Sequence, residues 1–389
     1  MKILFLTSRF PFPLEKGDKL RAYHQIKELS KFHEVHLVSV VDELVPTEYL
    51  DILSEITKSI NILSITPFER WFSILQNSVK GLPYQVAWFY SKPILAEILR
   101  ICKTIEPDHV YCQLCRMAEY ARQIDIPKTL DYMDSFGISM MKRSKISGFL
   151  TSWIYRMEGK RMIKYEEKIA HYFDNLIIIS NQDKNNLHFS NASNIQVIGN
   201  GVGEYFTEYR EDHPVTHQLV YVGNMSYLPN IETANYIVNN ILPLCPEHYT
   251  VLLAGDNPDR RVKELASDNV ILTGWVDDIR PCYLSGKLFI VPMWSGTGQQ
   301  NKILEALALG VPCITTTMVN NAIGAIPNHE IIIAETKEEF VLAIQLLMSD
   351  EDLYLKIKEN GRRFVKEKFD WIQKGWLLSS TFVAKNSNN

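Results

Sequence analysis

The chain has 389 residues, 46% of them hydrophobic, which suits about two domains with ordinary cores. No apolar run approaches the ~18 residues of a membrane helix, and six scattered cysteines do not make a disulfide scaffold. The net charge of −4 divides unevenly, with 25 Lys+Arg against 22 Asp+Glu in residues 1–195 and 16 against 23 in 196–389; a chain that is not basic as a whole is no general nucleic-acid binder.

In chain order, the first predicted strand is Ile3–Thr7. The apolar opening is too short for a signal-peptide core, so a cytosolic protein is expected. The following loop, Ser8 to Arg21, lies at the carboxyl end of a strand. There Gly17 would permit close approach, and Lys16, Lys19 and Arg21 would hold a phosphate; Asp18 would equally serve as a helix cap. A helix over Leu20–Lys31, strands at Val35–Val41 and Ile60–Ile65, a helix over Pro93–Ile105 and strands at Val110–Cys112 and Thr129–Asp131 come next. Cys112-x-x-Cys115 is a lone pair without the second pair or histidines that zinc needs. Asp134, just past a strand, is a candidate for a ligand hydroxyl or for a cap. Residues 140–168 are rich in Lys and Arg interleaved with aromatics, which fits an anionic membrane surface or an ordinary long helix with a basic outer face. After the strand Leu176–Ile179 the chain turns polar and glycine-bearing near Asn191–Gly201, the predicted domain boundary.

The second half repeats the alternation. Strands are expected at Leu219–Val222, Val251–Ala254, Val270–Leu272, Leu288–Val291 and Cys313–Thr316, with helices at Glu232–Ile241, Arg260–Ser267 and Phe340–Met348 between them. Such alternation predicts α/β domains with parallel sheets covered on both faces, whose ligands bind beyond the carboxyl ends of the strands. The most informative stretch is Ser295–Pro312. It reads as a turn with Gly296 and Gly298, then a helix from Asn301 to Leu309 stopped by Gly310. A helix N-terminus behind glycines favours an anion, and Lys302 adds a charge in its first turn. Glu305 lies on the same face, about 4.5 Å along the axis. It sits in an otherwise apolar run and needs a partner, such as a sugar diol. Phosphate contacts beside a carboxylate amount to a nucleotide-sugar site. No Asp-x-Asp metal motif occurs, so no metal and no cofactor beyond the donor itself are expected. The last segment, Phe369 to about Val383, carries Trp371 and Trp376 at helical spacing.

Lys302-x-Leu304-Glu305-Ala306-x-Ala308-x-Gly310-x-Pro312 resembles the donor signature of glycosyltransferase family 4. Val197–Val202, Leu219–Gly223 and Val270–Val276 resemble other segments of that family in its order. The resemblance implies the GT-B architecture: two doubly wound, Rossmann-like parallel-sheet domains facing a cleft. Residues 1–192 would bind the acceptor, through Lys16, Gly17, Lys19, Arg21 and Asp134, residues 193–368 the nucleotide-sugar donor, and 369–389 would cross back as a helix onto the first domain. It implies that backbone at Gly274 and Val276 meets the base and Glu305 the ribose. Lys302 with the amides of Thr297 and Gly298 would stabilise the leaving diphosphate, and Gly223, Asn224, Asn230, Gly296 and Gln299 complete the expected donor set. Two positions depart from the family: Thr297 stands where a glutamate is usual, and Asn224 follows the strand where Arg and Lys are usual. That pattern is similar to a subgroup associated with exopolysaccharide gene clusters. The implied activity is retaining transfer of a sugar to a saccharide or lipid-linked acceptor. A nucleotide-sugar 2-epimerase and a catalytically silent nucleotide-sugar-binding relative remain as alternatives.

Overall fold

Short runs rich in Val, Ile and Leu form the strands of two wholly parallel sheets. The first sheet contains β1 (Lys2–Thr7), β2 (Glu34–Val41), β3 (Ser59–Ser64), β4 (His109–Gln113), β5 (Lys128–Asp131), β6 (Asn175–Ile178) and β7 (Gln196–Val197), in the order β3-β2-β1-β4-β5-β6-β7. The second contains β8 (His217–Val222), β9 (Val251–Ala254), β10 (Val270–Leu272), β11 (Gly286–Val291), β12 (Cys313–Thr315) and β13 (Ile332–Ile333), in the order β10-β9-β8-β11-β12-β13. The central strands are buried along nearly their whole length because helices cover both faces, so their sequences read as continuous apolar runs. The computed structural model describes residues 1–78, 81–146, 148–187, 189, 192–209, 211, 213–295 and 298–383.

The chain forms two compact units, Met1–Gly199 with Trp371–Asn389, and Asn200–Asp370. The first unit runs past 192 because β7 pairs with β6, Ile177 opposite Gln196 and Ile178 opposite Val197. Strands of two residues such as β7 and β13 are too short to show a period in sequence. In the first unit the helix Trp371–Val383 packs on the helix Gly17–Leu29. The His24 ring stacks on Trp371 at 4.7 Å, and His33 Nε2 meets the Ser379 hydroxyl at 2.7 Å. Gly375 allows the approach: a Cβ there would lie 2.2 Å from Cβ of Glu28. Gly375→Ala is therefore expected to destabilise the protein by about 1–3 kcal/mol, the usual cost of overpacking, as read by urea denaturation.

Cys112 and Cys115 are both free and buried, and burial pushes their thiols well above the usual range, which leaves them packing as small apolar side chains. Among the described residues no helix is long and apolar enough to cross a membrane.

Candidate active site

In the second sheet the strand order reverses between β8 and β11, and ligands of open parallel sheets bind at such a switch point. Gly223 directly follows β8, and the helix Asn301–Leu309 follows β11. The cap residue Gln300 makes no side-chain cap bond to its first turn, and the start of a helix favours an anion. Lys302 reaches back from this helix to β8: its Nζ donates to Oδ1 of Asn230 at 2.6 Å and to the Tyr221 hydroxyl at 3.0 Å, and lies 4.8 Å from the Tyr221 ring centre. The Tyr221 hydroxyl in turn donates to Asn230 Oδ1 at 2.9 Å. These hydrogen-bond partners are neutral. Burial, partly opposed by the charge of Glu305, lowers the Lys302 ammonium to about 7.

Glu305 stands one turn further along, and its Oε2 accepts from the buried Tyr283 hydroxyl at 2.7 Å. That tyrosine supplies the partner that an acid in an apolar helix requires. Burial raises the Glu305 carboxyl, with Tyr283 and Lys302 pulling it back. Sequence patterns do not single out Tyr221 or Tyr283. The one available signal is a tyrosine inside an apolar run, whose hydroxyl needs a partner when buried.

Glycines line the carboxyl ends of β8 to β10. A Cβ at Gly223 would stand 2.9 Å from Asn230 Nδ2 and 3.1 Å from Lys302 Nζ. Gly255, which no sequence motif marks, has φ +138°, and a Cβ there would lie 1.9 Å from the Gly223 carbonyl oxygen. Its N–H donates to the carbonyl of Gly274, itself at φ +67°. The three glycines keep this lip free of side chains next to Lys302.

Thus Gly223, Asn230, Lys302 and Glu305 come together. Asn224 is exposed: its side chain accepts from Ser226, and its carbonyl accepts from Asn230 Nδ2. Val276 packs half-buried against the core. Gln299 bonds the backbone of Asn200 in both directions, at 3.0 and 3.2 Å, so its amide holds the Asn200 segment against the turn before the Lys302 helix. Gly298 takes φ +73°. Gly296 and Thr297 lie outside the described residues.

In the first unit Lys16 and Gly17 are exposed at the start of their helix. Gly17 has no positive φ, and nothing lies within 4 Å of where a Cβ would stand, so no steric demand for glycine arises there. Asp18 sits inside the helix and pairs with Arg9 at 2.7 Å; Lys16 occupies the cap position instead. Lys19 is buried, with Nζ near the Phe12 carbonyl at 3.3 Å and Glu43 at 3.5 Å. Arg21 is fully buried, its Nε 2.6 Å from Asp131 Oδ2 at the end of β5. It therefore holds the first helix to the sheet from inside the core. Asp134, three residues beyond, is half-buried.

Residues 216–350 match the family model described as glycosyl transferases group 1. Solved structures of similar fold extend over the whole chain. The chain is similar to sucrose-phosphate synthase from Thermosynechococcus elongatus, with a TM-score of 0.73, 15% identity and 100% of both chains covered. It is also similar to Anabaena HepE in complex with UDP-glucose, with a TM-score of 0.71, 14% identity and 99% and 100% of the two chains covered. A protein of Klebsiella pneumoniae described as an uncharacterized 44.6 kDa protein in the cps region is 22% identical, covering 95% of this chain and 96% of that one. The two parallel-sheet domains are those of the GT-B fold.

Proposed function

We propose that this protein transfers a sugar from a nucleotide diphosphate donor to a saccharide or lipid-linked saccharide acceptor. The observation that carries the reading is the desolvated Lys302 ammonium at the uncapped start of the 301–309 helix, beside a lip of glycines and one turn from Glu305. A diphosphate there meets a full charge, backbone N–H groups and no side-chain obstruction, and a ribose meets a carboxylate. The residues at Gly274 and Val276 face the base in this reading, with Gly296, Thr297 and Gly298 beside the diphosphate. The acceptor oxygen attacks C1 of the donor sugar as the bond from C1 to the diphosphate breaks; the acceptor proton passes to the leaving phosphate. Lys302 and the amides stabilise the charge that develops on that phosphate. The family 4 resemblance implies retention of anomeric configuration.

Lys16, Gly17 and Asp134 form the acceptor side of the proposal, with Lys19 at its edge. The cps-region relative supports a role in polysaccharide synthesis, and the UDP-glucose in HepE makes UDP-sugars the first donors to try. A cytoplasmic enzyme held to an anionic membrane through residues 140–168 fits a lipid-linked acceptor. The test is a screen of nucleotide-diphosphate sugars for release of nucleotide diphosphate, with and without a lipid-linked saccharide extract. Acceptor-dependent release from one donor is expected. Binding of donors with no release under any condition would leave a silent nucleotide-sugar binder.

The proposal carries a pH signature. Lys302 loses its proton near pH 7 in the empty site. A bound diphosphate favours the charged form, so binding above that pH takes up a proton. The apparent Kd for UDP is expected to weaken by up to about tenfold per pH unit above 7. Lys302→Arg, which stays charged, should flatten the slope. Calorimetry in two buffers of different ionisation enthalpy reads the proton directly; pH-independent binding without uptake would take Lys302 away from the diphosphate.

A further inference from the structure

The helix Pro67–Ser78 is amphipathic the wrong way round for a helix that packs on a core. Its inward face is mostly polar, with Arg70, Ser73 and Asn77 beside the half-buried Ile74. Arg70 is buried against Asp42 at 2.8 Å and the Trp88 ring at 5.2 Å, and the buried Ser73 hydroxyl donates to the Ala87 carbonyl at 2.7 Å. Its outward face is a stripe at i, i+3, i+4 and i+7: Phe68, Trp71, Phe72 and Leu75, exposed by 79%, 64%, 53% and 69%. The helix is firmly started, since Thr66 and Glu69 cap each other through Glu69 N–H to Thr66 Oγ1 and Thr66 N–H to Glu69 Oε2. Four adjacent large apolar side chains facing out mark a surface that something covers.

The surroundings identify what covers it. The short helix Tyr84–Ala87 lies between this helix and the long helix Phe149–Ala170: Trp71 meets Trp88 at 6.5 Å, Arg161 lies over the Tyr84 ring at 5.4 Å, and Gln85 N–H donates to Glu158. On Phe149–Ala170 and the helix Phe136–Ile146 packed against it, Lys142, Lys145, Arg156, Lys160, Lys164 and Lys168 are exposed, and Glu167 is the one exposed acid among their described residues. Trp153 and Ile154 are exposed on the same long helix. An aromatic stripe flanked by a basic face matches a bilayer with anionic headgroups, which takes the rings into its interface and the lysines onto its phosphates. A second copy of the chain would bring the same positive face against itself.

We propose that the 67–78 helix inserts its Phe68, Trp71, Phe72 and Leu75 stripe into the interface of an anionic membrane, with the 136–170 helices as the electrostatic footing. This extends the association proposed above, which rested on residues 140–168 alone; because it is read without sugar turnover, it can fail independently of the transferase reading. The probe is full-length protein sedimented with vesicles of phosphatidylglycerol and phosphatidylcholine (1:1) or of phosphatidylcholine alone. Binding to the anionic vesicles is expected, reduced at least about tenfold by changing Phe68, Trp71, Phe72 and Leu75 together to Ser, and reduced by Lys160→Glu with Lys164→Glu. Hydrogen exchange on the unaltered protein adds a readout independent of any variant: amides of 67–78 should slow on anionic vesicles. Undiminished binding by the serine variant, unchanged exchange at 67–78, or a wild-type dimer that the serine variant dissolves would overturn the proposal.

Discussion

Lys302→Ala is expected to lower turnover by at least ~100-fold, the scale of one lost charge stabiliser in a water-poor site. The fold should survive. The variant keeps the hydrogen bond from Tyr221 to Asn230 Oδ1 at 2.9 Å and removes a cation that burial already disfavours. The loss should therefore appear in the rate of nucleotide diphosphate release at saturating donor, with an unchanged urea midpoint. Turnover equal to that of the parent protein would show that the diphosphate is neutralised elsewhere. Substitution by Arg separates charge from shape. The guanidinium stays cationic, but its planar fork does not reproduce a point charge held 2.6 Å from Asn230 and 3.0 Å from Tyr221.

Arg21→Leu is expected to cost about 3–5 kcal/mol of stability, the penalty for leaving one member of a buried ion pair without its partner. Asp131 is completely enclosed and would keep three donors: the Tyr111 hydroxyl at 2.7 Å, Gln25 Nε2 at 3.1 Å and the Met133 N–H at 3.0 Å. Those bonds soften the loss without replacing the countercharge. Urea denaturation at neutral pH measures it, and the double variant Arg21→Leu, Asp131→Leu should recover part of the stability because no lone charge remains. A single-variant cost below about 1 kcal/mol would mean that the pair does not hold the first helix to the sheet. Sequence alone offers Arg21 as a ligand for an acceptor phosphate. Its complete burial against Asp131 assigns it instead to the framework below the loop, and Lys16 remains as the exposed cation of that segment.

The donor half is the more legible half of the sequence. Gly298, Lys302, Glu305 and Gly310 lie within thirteen residues, so their relation is set by one turn and one helix, and helical geometry alone puts Lys302 and Glu305 on a common face. Alternation of apolar strands with helices likewise fixes the class of fold, because a strand buried on both faces by helices is apolar along most of its length. Long-range packing supplies what local periodicity does not carry. It brings Tyr221, from the strand His217–Val222, to Lys302 and Tyr283, from the short helix Arg280–Leu284, to Glu305, 81 and 22 residues away in sequence. It sets Gly255 against Gly223 through parallel register, and buries Arg21 opposite Asp131 at a separation of 110 residues. It also forms the 67–78 helix, which the sequence reading does not mark, and turns its apolar stripe outward through the packing of Arg70 and Ser73 against the fold. Local pattern is enough for the longer strands, the sheet class and the turn before the Lys302 helix, because each depends on neighbours in the chain. Which charged side chains face a ligand and which hold the fold depends on what the chain folds against, and so rests on burial and pairing across the sheet.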